Sequence, residues 1–332
     1  MKRTPSKSNE LELICRRVES VTNLSRRQVL KSLALLGLLP GITAGCNPQV
    51  RKEKEEQIDT ATDIDFDDEV IANRPMRRHI ANLTPLDDTI LAYQDAVRAM
   101  KRLPDSDPRN WQKQAEIHSN RCPHSNWLFL PWHRHYLYWF ERIVREMSGK
   151  DDWALPYWNW TEHRTIPAHF QSPPLSHPRD RQRVPRFSDR RLDRVMEIRN
   201  FIYFGSGSLQ PDHDSRRFST KSDFEQIHDR IHVRIGNVEG GMGGFLSPLD
   251  PIFWLHHAFI DYIWTAWNIG LGNRNPAEPH WIDFSFSGHF VDADGTSVTG
   301  ESALVQFCLL LPVVNYRYEN SRIGSFTNSL TI

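Results

Sequence analysis

Cysteine is scarce: the 332 residues hold four, at positions 15, 46, 122 and 308. Four thiols cannot staple a chain of this length, and their spacing fits no zinc finger. An excess of charge is missing as well, because 41 Lys and Arg balance 41 Asp and Glu. No nucleic-acid partner is therefore expected. Neither an internal repeat nor a second domain is visible. With 39% hydrophobic and 25% charged residues, the composition is neither that of a disordered polymer nor that of a membrane bundle. Aromatic residues and histidine are plentiful, at 17 Phe, 11 Trp and 15 His. Aromatic rings build apolar pockets around polar ligands, and imidazole is a metal donor that is neutral near pH 7.

The apolar stretch from Leu33 to Leu39 follows the pair Arg26 and Arg27 and reaches small residues at Thr43 to Gly45. It is too short to span a bilayer and stay there, so residues 1–45 read as an export signal. The segment around Arg26 and Arg27 resembles a bacterial twin-arginine signal, which implies a periplasmic or secreted product. Ile42 to Cys46 resembles a lipoprotein processing site, with Cys46 as the lipidated residue and Thr43 departing from the usual Leu. A lipid there implies membrane attachment through the N-terminus. Residues 46–74 are charged and aperiodic, a flexible tether. Residues 75–332 are the expected catalytic domain.

Helical spacing and stop signals predict helices over Leu86 to Leu103, Asn110 to His118, Pro131 to Met147, Asp189 to Phe204, residues 222–235 and residues 251–267. The aromatic segment Trp153 to Trp160 reads as extended core. The proline-marked residues 163–188 read as a long surface excursion, which needs a reason to exist. The tail from Trp281 reads as strands and loops, with Cys308 a buried structural thiol.

Six histidines form two sets. His228 and His232, four apart, project from one helical face. Of the adjacent His256 and His257, helical geometry lets at most one join them. His257 is favoured because Asp261, one turn on, could orient its ring. In the first half, His118, His124 and His133 converge if His124 lies on the loop between two helices. His135 then points away, to a surface or supporting position. Neither set includes a carboxylate, which argues against di-iron, magnesium or calcium. Zinc and copper remain, copper being favoured by imidazole donors in an apolar pocket.

The stretches His118 to Glu141 and Ser247 to Trp264 resemble the two copper-binding signatures of the tyrosinase and catechol oxidase family. The likeness extends to Leu155 through Trp160 and to Tyr316 and Tyr318. It implies a mostly α fold, an antiparallel four-helix bundle enclosing a dinuclear copper site, with long loops and short peripheral strands. It places two copper ions per chain, one on His118, His124 and His133 and the other on His228, His232 and His257. The implied activity is oxidation of o-diphenols to o-quinones with dioxygen, some members also hydroxylating monophenols. The implied partners are dioxygen, a small phenolic or catecholic substrate and a copper-delivery protein. An o-aminophenol oxidase of the same family and a non-catalytic oxygen-binding protein are the alternatives.

Several finer roles follow from the resemblance. The C-x-H spacing implies a thioether between Cys122 and His124. Asp229 stands where several hydroxylating relatives carry an Asn that holds water. Glu225 is either the acidic partner of that water or, with Ser222, a helix capping box. Val233 is expected at the pocket mouth. Gly244 stands where relatives have a residue partly covering the second copper, with Phe245 able to take that place. The chain stops soon after Tyr318, so no shielding domain is expected.

Overall fold

The computed structural model describes residues 74–187, 189–207 and 221–327. The expected signal, with Arg26, Arg27 and Cys46, lies outside the described residues, as does the tether except Arg74. No helix among the described residues is long and apolar enough to cross a membrane.

Helix α1, Asp88–Arg102, starts where the Asp87 side chain accepts a hydrogen bond from Thr89 N, and it buries Ile90, Tyr93, Val97 and Met100. Asn110 caps α2, Trp111–Arg121, in the same way. Helix α3, Phe129–Ser148, ends at Gly149 with φ 65°, the left-handed stop that glycine adopts without strain. It is buried from Phe129 through Glu141. Helix α3 packs against α1, against α7, Ile252–Thr265, and against α9, Val305–Val314. Every residue of α7 is buried. The fold is mostly helical, and α2, α3, α6 (Asp223–Ile235) and α7 are the four helices that carry five of the six candidate ligands. Two-residue strands lie at the periphery, among them β1, Met76–Arg77, paired in parallel with β2, Arg317–Tyr318.

Three expectations need correcting. The helix expected from Asp189 to Phe204 is two, α4 Asp189–Glu197 and α5 Phe201–Phe204. Asn200 starts the second by accepting from Ile202 N, the local bonding that lets Asn interrupt a helix. In the tail, the apolar run around Cys308 is helix α9; with no polar face, it carries no period by which to tell helix from buried strand. The excursion is also less superficial than its prolines suggest, since Ile166, Phe170, Leu175, Val184 and Phe187 are buried.

Under the bundle lies a buried charge knot. Arg77 makes a two-pronged contact with Glu141 at 2.9 and 2.7 Å and reaches Asp261 at 3.0 Å. Arg134 bonds the other Asp261 oxygen at 2.5 Å, and the hydroxyls of Tyr316 and Tyr318 donate to Asp261 at 2.6 Å. The β1–β2 pairing aligns Arg77 with Tyr318, so a strand of two residues delivers the guanidinium to the helices.

Candidate metal centre

The four helices and one loop bring the two sets of histidines face to face. His118 comes from α2, His133 from α3, His228 and His232 from α6 and His257 from α7. His124 sits on the intervening loop, where Ser125 has a positive φ of 58°. Ligand atoms of His118, Cys122, His124 and His133 all lie within 4.8 Å of one another, as do those of His228, His232, His256 and His257.

Hydrogen bonds set the tautomers. Nδ1 of His118 donates to the Phe245 carbonyl at 2.7 Å, that of His133 to the Phe129 carbonyl at 2.8 Å, and that of His232 to the Met242 carbonyl at 2.8 Å. His228 Nδ1 donates to Asp229 Oδ1 at 3.0 Å. Each of these rings, when neutral, therefore presents a lone pair at Nε2. His118 Nε2 is buried without a partner among the described residues. His228 Nε2 and His232 Nε2 approach His257 Nε2 at 3.3 and 3.2 Å. The lone pairs of His228 and His232 therefore meet at the His257 ring, an arrangement that a metal ion can bridge. Burial is the first cause that lowers the proton affinity of all six rings, to about 3 for His118 and His124 and about 4 for His232. They are neutral donors at ordinary pH. Two all-nitrogen sites walled by Phe129 and Phe253 suit a pair of copper ions, since imidazole serves both oxidation states of copper.

His256 belongs to the second cluster by distance but not by chemistry. Trp160 Nε1 donates to its Nδ1 at 3.0 Å. Indole is only a donor, so the neutral His256 ring carries its hydrogen on Nε2 and offers no lone pair there. The choice of His257 over its neighbour thus has a structural cause.

Other expectations fare differently. Asp261 does not orient His257: its oxygens are taken by Arg77, Arg134 and the two tyrosines, and His257 Nδ1 has no partner among the described residues. The one-turn spacing is right, but two buried cations outbid a neutral ring. His135 is not on the surface; it is fully buried among Phe286, Phe290 and Phe307, with Nε2 donating to the Leu304 carbonyl at 2.9 Å. Glu225 caps through its backbone, the Ser222 side chain accepting its N–H. Its carboxylate does not return to Ser222. It accepts from Ser125 N at 2.7 Å and from the Ser206 hydroxyl, and so braces the His124 loop.

Asp229 holds His228 with one oxygen and Lys221 with the other, the latter at 2.6 Å. Cys122 Sγ lies 3.6 and 3.8 Å from the two ring nitrogens of His124, close to the plane that bisects the ring through Cε1. Val233 and Phe245 are 74% and 72% exposed. A Cβ on Gly244 would stand 2.5 Å from the Val238 carbonyl oxygen, so this backbone admits no side chain there. Spacing had not revealed that the glycine-rich loop supplies the Met242 and Phe245 carbonyls. Its run of glycines was the available signal, because glycine marks places where backbone comes close to other groups.

A bundle holding two three-histidine sets face to face defines the class. The common central domain of tyrosinase matches residues 97–211 and 189–269, together just over half of the chain, and the chain belongs to the tyrosinase family. A tyrosinase of Hahella sp. (strain CCB-MM4) is 31% identical over 277 residues, covering 64% of this chain and 57% of that protein. The (+)-larreatricin hydroxylase of Larrea tridentata is 29% identical over 287 residues, covering 69% and 47%. The chain thus spans about half the length of these curated relatives. Among solved structures, the Grenache (Vitis vinifera) polyphenol oxidase matches with a TM-score of 0.65 at 23% identity, over 76% of this chain and 86% of that one. A latent aurone synthase matches with a TM-score of 0.66 at 25% identity, over 76% and 59%.

Proposed function

We propose that the chain oxidises o-diphenols to o-quinones with dioxygen, and that it also hydroxylates monophenols at the ortho position. The observation that carries this reading is the convergence of six buried, neutral imidazoles in two sets, four of them held by Nδ1 hydrogen bonds that leave the Nε2 lone pair free. Copper ions held there supply two-electron exchange with dioxygen. Two diphenols give up two electrons and two protons each, and one dioxygen leaves as two waters.

The chain's own residues orient the rings and admit the substrate. Carbonyls of Phe129, Met242 and Phe245 fix three imidazoles. Val233 and Phe245 form an exposed apolar approach, and the bare Gly244 leaves it unroofed, which suits bulky or substituted phenols. This open approach favours catalysis over mere oxygen binding. For a monophenol the hydroxyl proton must leave first. Asp229 is 31% exposed, and its carboxylate has lone pairs beyond the two bonds it makes, so we assign it to receive that proton through water. Export through the Arg26–Arg27 signal, with a lipid on Cys46, accompanies this proposal and rests on the sequence alone.

Early oxygen uptake by copper-loaded protein tests the reading, with catechol, a monophenol primed by trace diphenol, and o-aminophenol as substrates. Turnover of catechol and sustained monophenol uptake are expected. No uptake with either, at full copper loading, defeats the assignment. Uptake confined to o-aminophenol makes the protein an o-aminophenol oxidase.

A further inference from the structure

We propose that a cavity at the start of the excursion binds a small organic carboxylate, apart from the histidine centre. The cavity is an open cleft of about 430 Å³, and none of the six candidate ligands lines it. That volume suits a small molecule with a body and is large for a bare inorganic anion. Its lining has two characters. Ile80, Ile166 and Pro167 offer an apolar wall, while Arg164, Arg183 and Thr165 bring cationic and hydroxyl donors.

The excursion is folded to gather these donors. Ile166 N donates to the Gln182 carbonyl at 2.8 Å and Val184 N to the Arg164 carbonyl at 2.9 Å. This makes Thr165 and Arg183 a directly opposed antiparallel pair of the kind without hydrogen bonds between the partners, whose side chains stand close on one face. Arg164 spends Nε and Nη2 on the Val184 carbonyl at 3.3 and 3.1 Å and keeps Nη1 uncommitted among the described residues. Arg183 has neither a hydrogen bond nor an ion pair among them. Glu162 also lines the cavity; its Oε2 accepts from Asn159 at 3.1 Å and Ser321 at 3.4 Å, and it pairs with neither arginine.

The two guanidinium groups thus line one cavity with no ion pair of their own among the described residues. Burial, and then the like charges of Arg183 and Arg186, lower the proton affinity of Arg164. A ligand carboxylate relieves that repulsion, since guanidinium matches its two oxygens in a planar fork. The apolar wall takes the rest of the ligand. The excursion then has a purpose that its length alone does not supply.

Calorimetric titration of copper-loaded protein with cyclohexanecarboxylate, a carboxylate with no phenol to oxidise, tests the site. Saturable one-to-one binding is expected, weakened at least about ten-fold by Arg183→Gln and unchanged by Arg190→Gln, an exposed arginine elsewhere. The Arg183 side chain has no hydrogen bond or ion pair among the described residues, so this variant should fold normally. Because carboxylates also ligate metals, the titration is repeated on His257→Gln protein, where unchanged binding is expected. The proposal is overturned by an absence of saturable binding, by equal binding of neutral cyclohexylmethanol, or by binding that follows copper rather than Arg183. Inorganic phosphate binding as tightly as the carboxylate would remove the role given to the apolar wall.

Discussion

His118 donates its Nδ1 hydrogen to the backbone carbonyl of Phe245, 127 residues away, at 2.7 Å. Three residues earlier on the same loop, the Met242 carbonyl accepts from His232. One glycine-rich loop therefore orients a ligand in each metal set, and Phe245 also presents its ring to solvent. The excursion anchors the loop. Asp180 Oδ2 accepts from Asn237 N at 2.9 Å, where Asn237 has a φ of 63°, and His177 Nε2 donates to the Gly240 carbonyl at 2.7 Å.

Asp180→Ala should therefore weaken copper binding without unfolding the bundle. The loss expected is about five-fold, the equivalent of one hydrogen bond of ~1 kcal/mol, read by competition with a copper chelator. Asp180→Asn keeps an acceptor oxygen and should restore affinity. Equal loss in both variants would mean that the carboxylate's charge, rather than its bond to Asn237, holds the loop.

The tautomer assigned to His256 makes a contrast with its neighbour. His257→Gln should leave about one copper per chain, whereas His256→Gln should keep both. Elemental analysis after reconstitution measures this. Loss of a metal from His256→Gln at unchanged helicity would place the lone pair on the wrong ring.

Asp261 is held below the ordinary carboxylate range: burial alone would raise it, but Arg134 and Arg77 outweigh burial. Asp261→Asn leaves the buried Arg134 without its carboxylate, while Arg77 keeps Glu141, and should cost about 3–5 kcal/mol of stability, measured by denaturant unfolding. Copper stoichiometry of the folded fraction should hardly change, because Asp261 touches none of the six ligands. A stable variant that has lost copper would return Asp261 to the role that its spacing suggested.

The bundle was legible because its helices announce themselves locally, in the Ser222 cap and in the helical spacing of apolar residues in α1. The two histidine sets were legible because five of the six ligands sit on helices, where spacing dictates direction. Long-range partners were not. Arg77 reaches Asp261 only because β1 pairs with β2 across the length of the domain, and no periodicity encodes that meeting. His135 was misplaced because α3 is buried nearly all round, so no face of it is a safe place for a polar ring. The Glu225 carboxylate was invisible for a similar reason: Ser125 is 100 residues away.

Glu225 gives a pH prediction. Burial, the largest cause, lifts its carboxyl from 4.5 to about 7, while hydrogen bonds from Ser206 and Ser125 pull the other way. The folded-state pKa lies above the unfolded one, so the group's contribution to stability is full below about pH 4.5 and is lost as pH rises through about 7. Glu225→Gln should flatten that part of the stability profile. Comparing the two proteins in the same metal state from about pH 4 to about pH 8 isolates the contribution. A difference between them that does not vary with pH would show that Glu225 titrates in its ordinary range.

Cys122 offers the last prediction. Its sulfur stands 3.4 Å from His133 Nε2 as well as near both nitrogens of His124, so distance alone does not choose between a thiol lying among the ligands and one bonded to a ring carbon. The loop makes the difference. His124 is the one ligand of the six outside a helix, held through Ser125 and Glu225, its Nδ1 meeting the Cys122 sulfur rather than a carbonyl or carboxylate. A covalent bond from Sγ to Cε1 would remove the freedom that the missing helix leaves. We therefore expect copper-loaded protein to be lighter than its sequence by a pair of hydrogen atoms, with the crosslink mapped to the peptide holding Cys122 and His124. Burial raises the Cys122 thiol well above its ordinary range, so the bond should appear only after copper and dioxygen are supplied, not in copper-free protein. Cys122→Ala should carry the full sequence mass under all conditions. A mass deficit that persists in that variant would assign the lost hydrogens elsewhere, and full sequence mass in copper-loaded, aerated wild type would leave Cys122 a free thiol.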